Sequence, residues 1–215
     1  MTCPPNKIKN LETGFCVNRD GAIGRKIMAN TAVFTFGRFN PPTVGHRMMI
    51  RKLIQVGEKE NADIYVFGSH TKDKKKNPLS HSQKMKYMVE MFPKEMEGYV
   101  DPDEQIRTVF DAALYLNDYD RLIMIVGSDR VDSFKETLVK YNGKPLKNGM
   151  YEFSEILIVN AGVRDPDSEG IEGMSASKMR QAVVDNDMET FQSGLPKGYD
   201  GTRMFNDVKK GLGLN

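Results

Sequence analysis

The apolar run Ala32-Val33-Phe34 leads through Phe36-Gly37-Arg38-Phe39-Asn40-Pro41-Pro42-Thr43-Val44-Gly45-His46 into a helical pattern, and no other passage constrains the chain as much. A strand ends in a glycine-bearing loop and a helix starts at once. Backbone N–H groups at a helix start have no partner inside the helix and carry partial positive charge, so they attract a polyphosphate. Gly37 and Gly45 let the chain approach such a ligand closely, and His46, in the first turn, stands where an anionic transition state needs a donor. Read alone, Asn-Pro-Pro-Thr is equally well a turn and an N-cap, with Thr43 bonding the orphan N–H groups and His46 at the surface.

Downstream, strand and helix patterns alternate. Asp63-Ile64-Tyr65-Val66-Phe67-Gly68 reads as a short buried strand, and Arg121–Val126 and Glu155–Val159 are stronger ones, each ending at turn chemistry. After the first motif, Met49, Leu53 and Val56 share one helix face, and Gly57 is expected to end that helix. Ser80 with Gln83 forms a capping box for a helix striped by Met85, Met88, Val89 and Phe92 and stopped by Pro93. Ile106, Val109, Phe110, Ala113 and Leu114 repeat at helical spacing. The alternation predicts an α/β fold, a Rossmann-like parallel sheet sandwiched by helices, with ligands beyond the carboxyl ends of its strands.

The string from Phe36 to His46 resembles the T/HxGH signature of the nucleotidyltransferase superfamily, which includes nicotinamide-mononucleotide and phosphopantetheine adenylyltransferases and the CTP-dependent cytidylyltransferases. Thr43 replaces the first histidine of the commoner form, leaving His46 as the motif's only imidazole. Gly173-Met174-Ser175-Ala176-Ser177-Lys178-Met179-Arg180 resembles the superfamily's ISSTxxR element, in the expected order and at the expected distance. Gly127-Ser128-Asp129-Arg130, directly after a strand, is similar to the GSD or GAD turn beside the nucleotide in many adenylyltransferases; a turn in which Asp129 merely caps a helix reads equally well. The loop from Gly68 to Ser80, with its lysine run and Asn77-Pro78, resembles the acceptor-binding loop of archaeal-type nicotinamide-mononucleotide adenylyltransferases.

These resemblances imply direct in-line displacement: an acceptor phosphate attacks the α-phosphorus of a nucleoside triphosphate, and pyrophosphate leaves. His46 would stabilise the transferring phosphoryl group, while Ser177, Arg180 and Lys178 would hold the pyrophosphate, bridged by Mg2+. The implied nucleotide site comprises Phe36, Gly37, Arg38, Phe39, Asn40, Thr43, Gly45 and His46, then Gly127 and Asp129, then Ser175, Ser177, Lys178 and Arg180. Adenine would rest near Phe36 to Phe39 and the helix that Ser175 starts. Ser69, Lys76 and Asn77 would bind the acceptor. ATP with nicotinamide mononucleotide is the preferred substrate pair; CTP with an alcohol phosphate is the alternative, and a catalytically idle nucleotide-binding module is a third reading. No residue is expected to ligate a metal directly, and His70 and His81 are expected to be polar surface residues.

Residues 1–28 differ in composition, polar and glycine-rich before an apolar shift at about Ala29, and Met28 reads as a candidate internal start. The segment from Cys3 to Val17, continuing through Gly21 and Gly24 to Ile27, resembles the virus-specific two-cysteine adaptor fused to enzymes of large DNA viruses. That likeness implies a viral origin and a viral or host protein partner. A disordered tail with incidental thiols is the plainer reading. Cys3 and Cys16 are the only cysteines, too few for a zinc site without outside ligands, and a disulfide fits poorly with an intracellular nucleotide enzyme.

Residues 29–215 form the expected enzyme domain, with its core at 31–186 and C-terminal helices at 187–215; after Arg180 two helices are expected, with Val183, Val184 and Phe191, then Met204, Phe205 and Val208, as sparse apolar anchors. Those helices would pack beside the sheet or against another subunit of a homo-oligomer. With 31 basic against 29 acidic residues, charge gives little support to nucleic-acid binding. No apolar run is long enough to span a membrane and no signal-peptide core is present, so the expected location is cytoplasmic, in host cytoplasm or virion if the chain is viral.

Overall fold

A computed structural model describes residues 3–10, 13–99, 106–162 and 174–214, and its first elements are a short hairpin and a helix. Strands β1 (Lys7–Lys9) and β2 (Cys16–Asn18) pair antiparallel, and helix α1 (Ala22–Met28) folds back on them. Of the segments singled out in the sequence, Leu11, Glu12 and Gly173 lie outside the described residues. Cys3 and Cys16 form a disulfide, with Cα atoms 5.7 Å apart, which corrects the expectation that one fits poorly here. The hairpin register sets Cys16 opposite Lys9, and the turn closed by Lys7 N–H on the Pro4 carbonyl brings Cys3 back beside it. No described residue before Ala32 enters either apolar core, and Phe15 and Ile23 stand exposed.

The remainder runs β3 (Thr31–Gly37), α2 (Val44–Glu60), β4 (Asp63–Gly68), α3 (His81–Met91), α4 (Val109–Tyr115) and β5 (Arg121–Val126). After a 3-10 turn at Ser128–Arg130 come α5 (Val131–Phe134), a π-helical stretch at Lys135–Val139, β6 (Glu155–Asn160), α6 (Ala176–Val184), α7 (Met188–Ser193) and α8 (Thr202–Leu212). The sheet is wholly parallel, in the order β4-β3-β5-β6. Chain order therefore reverses between β3 and β5: one loop leaves toward β4 and the other toward β6, which opens a crevice at their carboxyl ends. Gly37 and Gly127 flank that crevice.

Alternate residues of the buried strands face opposite sides. Val33, Ile123 and Ile125 pack with α2, α3 and the last three helices, while Ala32, Phe34, Leu122 and Met124 pack with α4 and the 131–139 segment. The C-terminal helices lie on the sheet's own face through Phe191, Met204, Phe205 and Val208. Three local expectations change. Gly57 is inside α2, which runs on to Glu60 before Asn61 takes the left-handed cap; a Cβ at Gly57 would stand 2.5 Å from Ile64 Cδ1, so glycine there serves helix-to-strand packing. Ile106 precedes its helix, and Val89 and Val184 face outward, because each helix buries a narrower stripe than its apolar content suggests.

Candidate active site

Both motifs end at the crevice. At the close of β3 the chain turns through Phe39, at φ +44, and drops the Phe39 ring beneath the strand end, where a Cβ on Gly37 would collide with it at 2.5 Å. Phe39 is thus buried and unavailable as a flat platform for a base; it packs edge-on against the His46 ring, centroids 5.1 Å apart. Asn40 is also committed internally: its amide donates to the Leu79 carbonyl and accepts from the Leu79 N–H, both at 2.9 Å. Asn40 therefore ties the first loop to the start of α3. Its side chain holds the wall of the cleft in place.

Thr43 caps α2 and His46 is that helix's third residue. The Thr43 backbone N–H donates to His46 Nδ1 at 2.9 Å, and Thr43 Oγ1 lies 3.2 Å from the same nitrogen. An amide N–H can only donate, so Nδ1 holds a lone pair and the neutral ring carries its proton on Nε2. The hydroxyl of Thr43, which is fully buried, completes the reciprocal cap with the His46 backbone. The residue that replaces the motif's first histidine thus orients the second.

Arg180 joins the two motifs. Its Nη1 donates to the Asn40 carbonyl, 140 residues away in the chain, at 2.7 Å, and its Nη2 to Ser177 Oγ, one helical turn away, at 2.9 Å. Burial and the nearby Arg38 charge push the Arg180 guanidinium below its ordinary value, and Asp73 opposes them. Ser175 caps α6 by accepting the Lys178 N–H at 3.1 Å.

The cleft encloses about 670 Å³. Its wall includes every residue of the implied nucleotide and acceptor sites except Lys178 and Asn77. Asn77 is buried against Asp73, whose carboxylate takes the N–H groups of Lys76 and Lys75 and is held well below the usual range by them. That turn presents Lys76 to the cleft. His70 and His81, expected at the surface, are half-buried with rings stacked 3.9 Å apart, because the loop after β4 folds onto the start of α3.

The wall also holds groups that the sequence reading missed: Arg107 and Thr108 before α4, Thr71, Phe134, and Arg130 with its guanidinium 5.5 Å above the Phe134 ring. Arg130 was the fourth residue of an already noted turn, and Thr108 with Asp111 is a capping box legible at i, i+3. Among the described residues of the wall, Arg38, Lys76, Arg107, Arg130 and Arg180 face one carboxylate, Asp129, and this cationic lining suits a ligand with several negative charges. Among the described residues no three His, Cys, Asp or Glu side chains cluster for a metal. The one carboxylate among the described wall residues suits a hard cation brought in on phosphate oxygens.

A Rossmann-like parallel sheet with a cationic crevice at its switch point, an oriented histidine and an arginine bridging two loops defines a nucleotidyltransferase. The cytidylyltransferase-like family model matches residues 34–182, and the chain belongs to that family. No curated protein matches it significantly. Among the described residues, no helix is long and apolar enough to cross a membrane.

Proposed function

We propose that the protein transfers a nucleoside monophosphate from a nucleoside triphosphate to a phosphorylated small molecule, with ATP as donor, nicotinamide mononucleotide as acceptor and NAD as product. The observation that carries the reaction type is the meeting of His46, Ser177 and Arg180 on one cationic cleft from motifs far apart in the chain. A phosphate acceptor is already anionic at neutral pH, so the chemistry needs alignment and charge neutralisation more than a base. His46 donates from Nε2 to the α-phosphoryl oxygen as charge develops. Arg180 and Ser177 hold the departing pyrophosphate, with Lys178 at its edge. Asp129 would meet Mg2+ carried by the triphosphate; the ion, when bound, neutralises phosphate charge.

The preference for ATP and nicotinamide mononucleotide rests on Thr43 and on the Asn77-Pro78 loop, which presents Lys76. The family match supports CTP with an alcohol phosphate equally. Residues 1–28 are proposed to dock the enzyme, in the host cytoplasm or virion, to a viral or host protein. The deciding experiment incubates the purified protein with each nucleoside triphosphate, Mg2+ and candidate phosphate acceptors, and reads pyrophosphate release. The fastest release is expected with ATP and nicotinamide mononucleotide. A preference for CTP would transfer the assignment to a cytidylyltransferase, and tight triphosphate binding without turnover would mark an idle binding module.

A further inference from the structure

Lys84 lies on α3 among Met85, Tyr87 and Met88, and it is completely buried. Among the described residues no carboxylate comes within ion-pair distance of it; Nζ donates to Ser69 Oγ at 3.1 Å. An ammonium withdrawn from water without a counter-ion is a costly arrangement. Burial, with Arg38 adding to it, pushes Lys84 down to about 8. Arg38 acts on Arg180 in the same sense. Arg38 thus acts on both Lys84 and Arg180, and among the described residues the one acid opposing it at those two groups is Asp73, at Arg180.

Ser69 turns this buried charge toward the cleft. It follows β4, its own N–H donates to the Gly37 carbonyl at 2.8 Å, and it lines the cleft wall beside Arg38. An ammonium can only donate, so Ser69 Oγ is the acceptor in that pair and its hydroxyl proton is left to point elsewhere. The serine becomes a donor whose direction is set from behind.

We propose that Ser69 and Lys84 form a binding point for a substrate phosphoryl group, with Ser69 donating directly to a phosphate oxygen and Lys84 acting through Ser69 as a positioning residue. This rests on the nucleotidyltransferase reading and assigns part of its anion recognition to a lysine that never touches ligand. The phosphoryl group belongs either to the acceptor, for which inorganic phosphate is the probe, or to the donor's leaving end, for which pyrophosphate is the probe.

The test is a double-mutant cycle on the full chain, titrating each of these anions by calorimetry into the native protein, Lys84→Met, Ser69→Ala and the double variant. Each single change is expected to weaken one or both anions about tenfold, the scale of a hydrogen bond to a charged group. The double variant is expected to lose about tenfold in total, the same as either single variant and not a hundredfold, because both residues act through one bond. Lys84→Met is expected to melt no lower than the native protein, which a merely structural lysine would not permit. Unchanged affinity for both anions in Ser69→Ala, or additive losses in the double variant, would overturn the proposal. Anion titration needs no turnover, so an idle module that still shows the cycle would refute the reaction and leave this site standing.

Discussion

The Thr43 backbone N–H donates to His46 Nδ1 at 2.9 Å, so a main-chain group selects the tautomer of the catalytic candidate. Nitrogen-15 spectra should show the neutral His46 ring protonated on Nε2, with an unprotonated Nδ1. Replacing His46 by alanine should lower kcat about a hundredfold to a thousandfold, the loss typical of one preorganised donor, while triphosphate affinity changes little. Near-native turnover in that variant would remove His46 from the mechanism.

Asn40 should matter for architecture ahead of chemistry. Asn40→Ala leaves the buried N–H and carbonyl of Leu79 without their partner, at about 1–3 kcal/mol for each orphaned group. Urea unfolding should register that loss, and the midpoint should fall with an unchanged slope. A variant as stable as the native protein would mean the two Asn40 bonds are not formed in solution.

Arg180→Lys tests the fork that joins the motifs. Lysine keeps the charge and cannot donate along two fixed directions to the Asn40 carbonyl and Ser177 at once. Turnover should fall by roughly tenfold to a hundredfold, the value of one charge-assisted bond, and arginine alone should restore it. Equal activity with lysine would reduce the residue to a simple counter-charge.

Lys84 makes stability depend on pH with a definite sign. Its folded value is about 8 against 10.5 for a free side chain. Below pH 8 both states hold the proton, and the fold bears the whole penalty, on the order of 3 kcal/mol. Between pH 8 and 10.5 the unfolded chain binds more protons than the folded one, so this group makes stability rise with pH. Lys84→Met should therefore gain most over the native protein at about pH 7, and the gain should shrink toward about pH 10. A difference that stays constant across that range would show that Lys84 does not titrate as assigned.

The N-terminal unit should be separable. A chain beginning at Met28 should keep its catalytic rate and melt within about 2 °C of the full chain, since no described residue before Ala32 joins a core. Opening the Cys3–Cys16 disulfide with a reductant should likewise leave turnover unchanged. A large fall in either measurement would make residues 1–28 part of the enzyme.

Much of this protein is local and could be read directly. Strands of alternating or wholly apolar residues, the Ser80–Gln83 cap and the glycine loop before His46 depend on near neighbours in the chain, and backbone geometry alone carries such signals. That was enough for the class of fold and for most of the cleft wall. Tertiary structure decided the rest, wherever one residue's state depends on a distant partner. Lys84 has the composition of a solvated helix residue and is buried because α3 packs against β4. Gly57 looks like a helix end and is continued because Ile64 needs the space. Phe39 and Asn40 read as parts of the nucleotide site and do line the cleft, but only the tertiary structure shows that the turn after β3 sends one ring into the core and one amide to Leu79. Arg180 reaches the first motif only because the sheet order brings the ends of β3 and β5 together with α6, a long-range closure that no periodicity encodes.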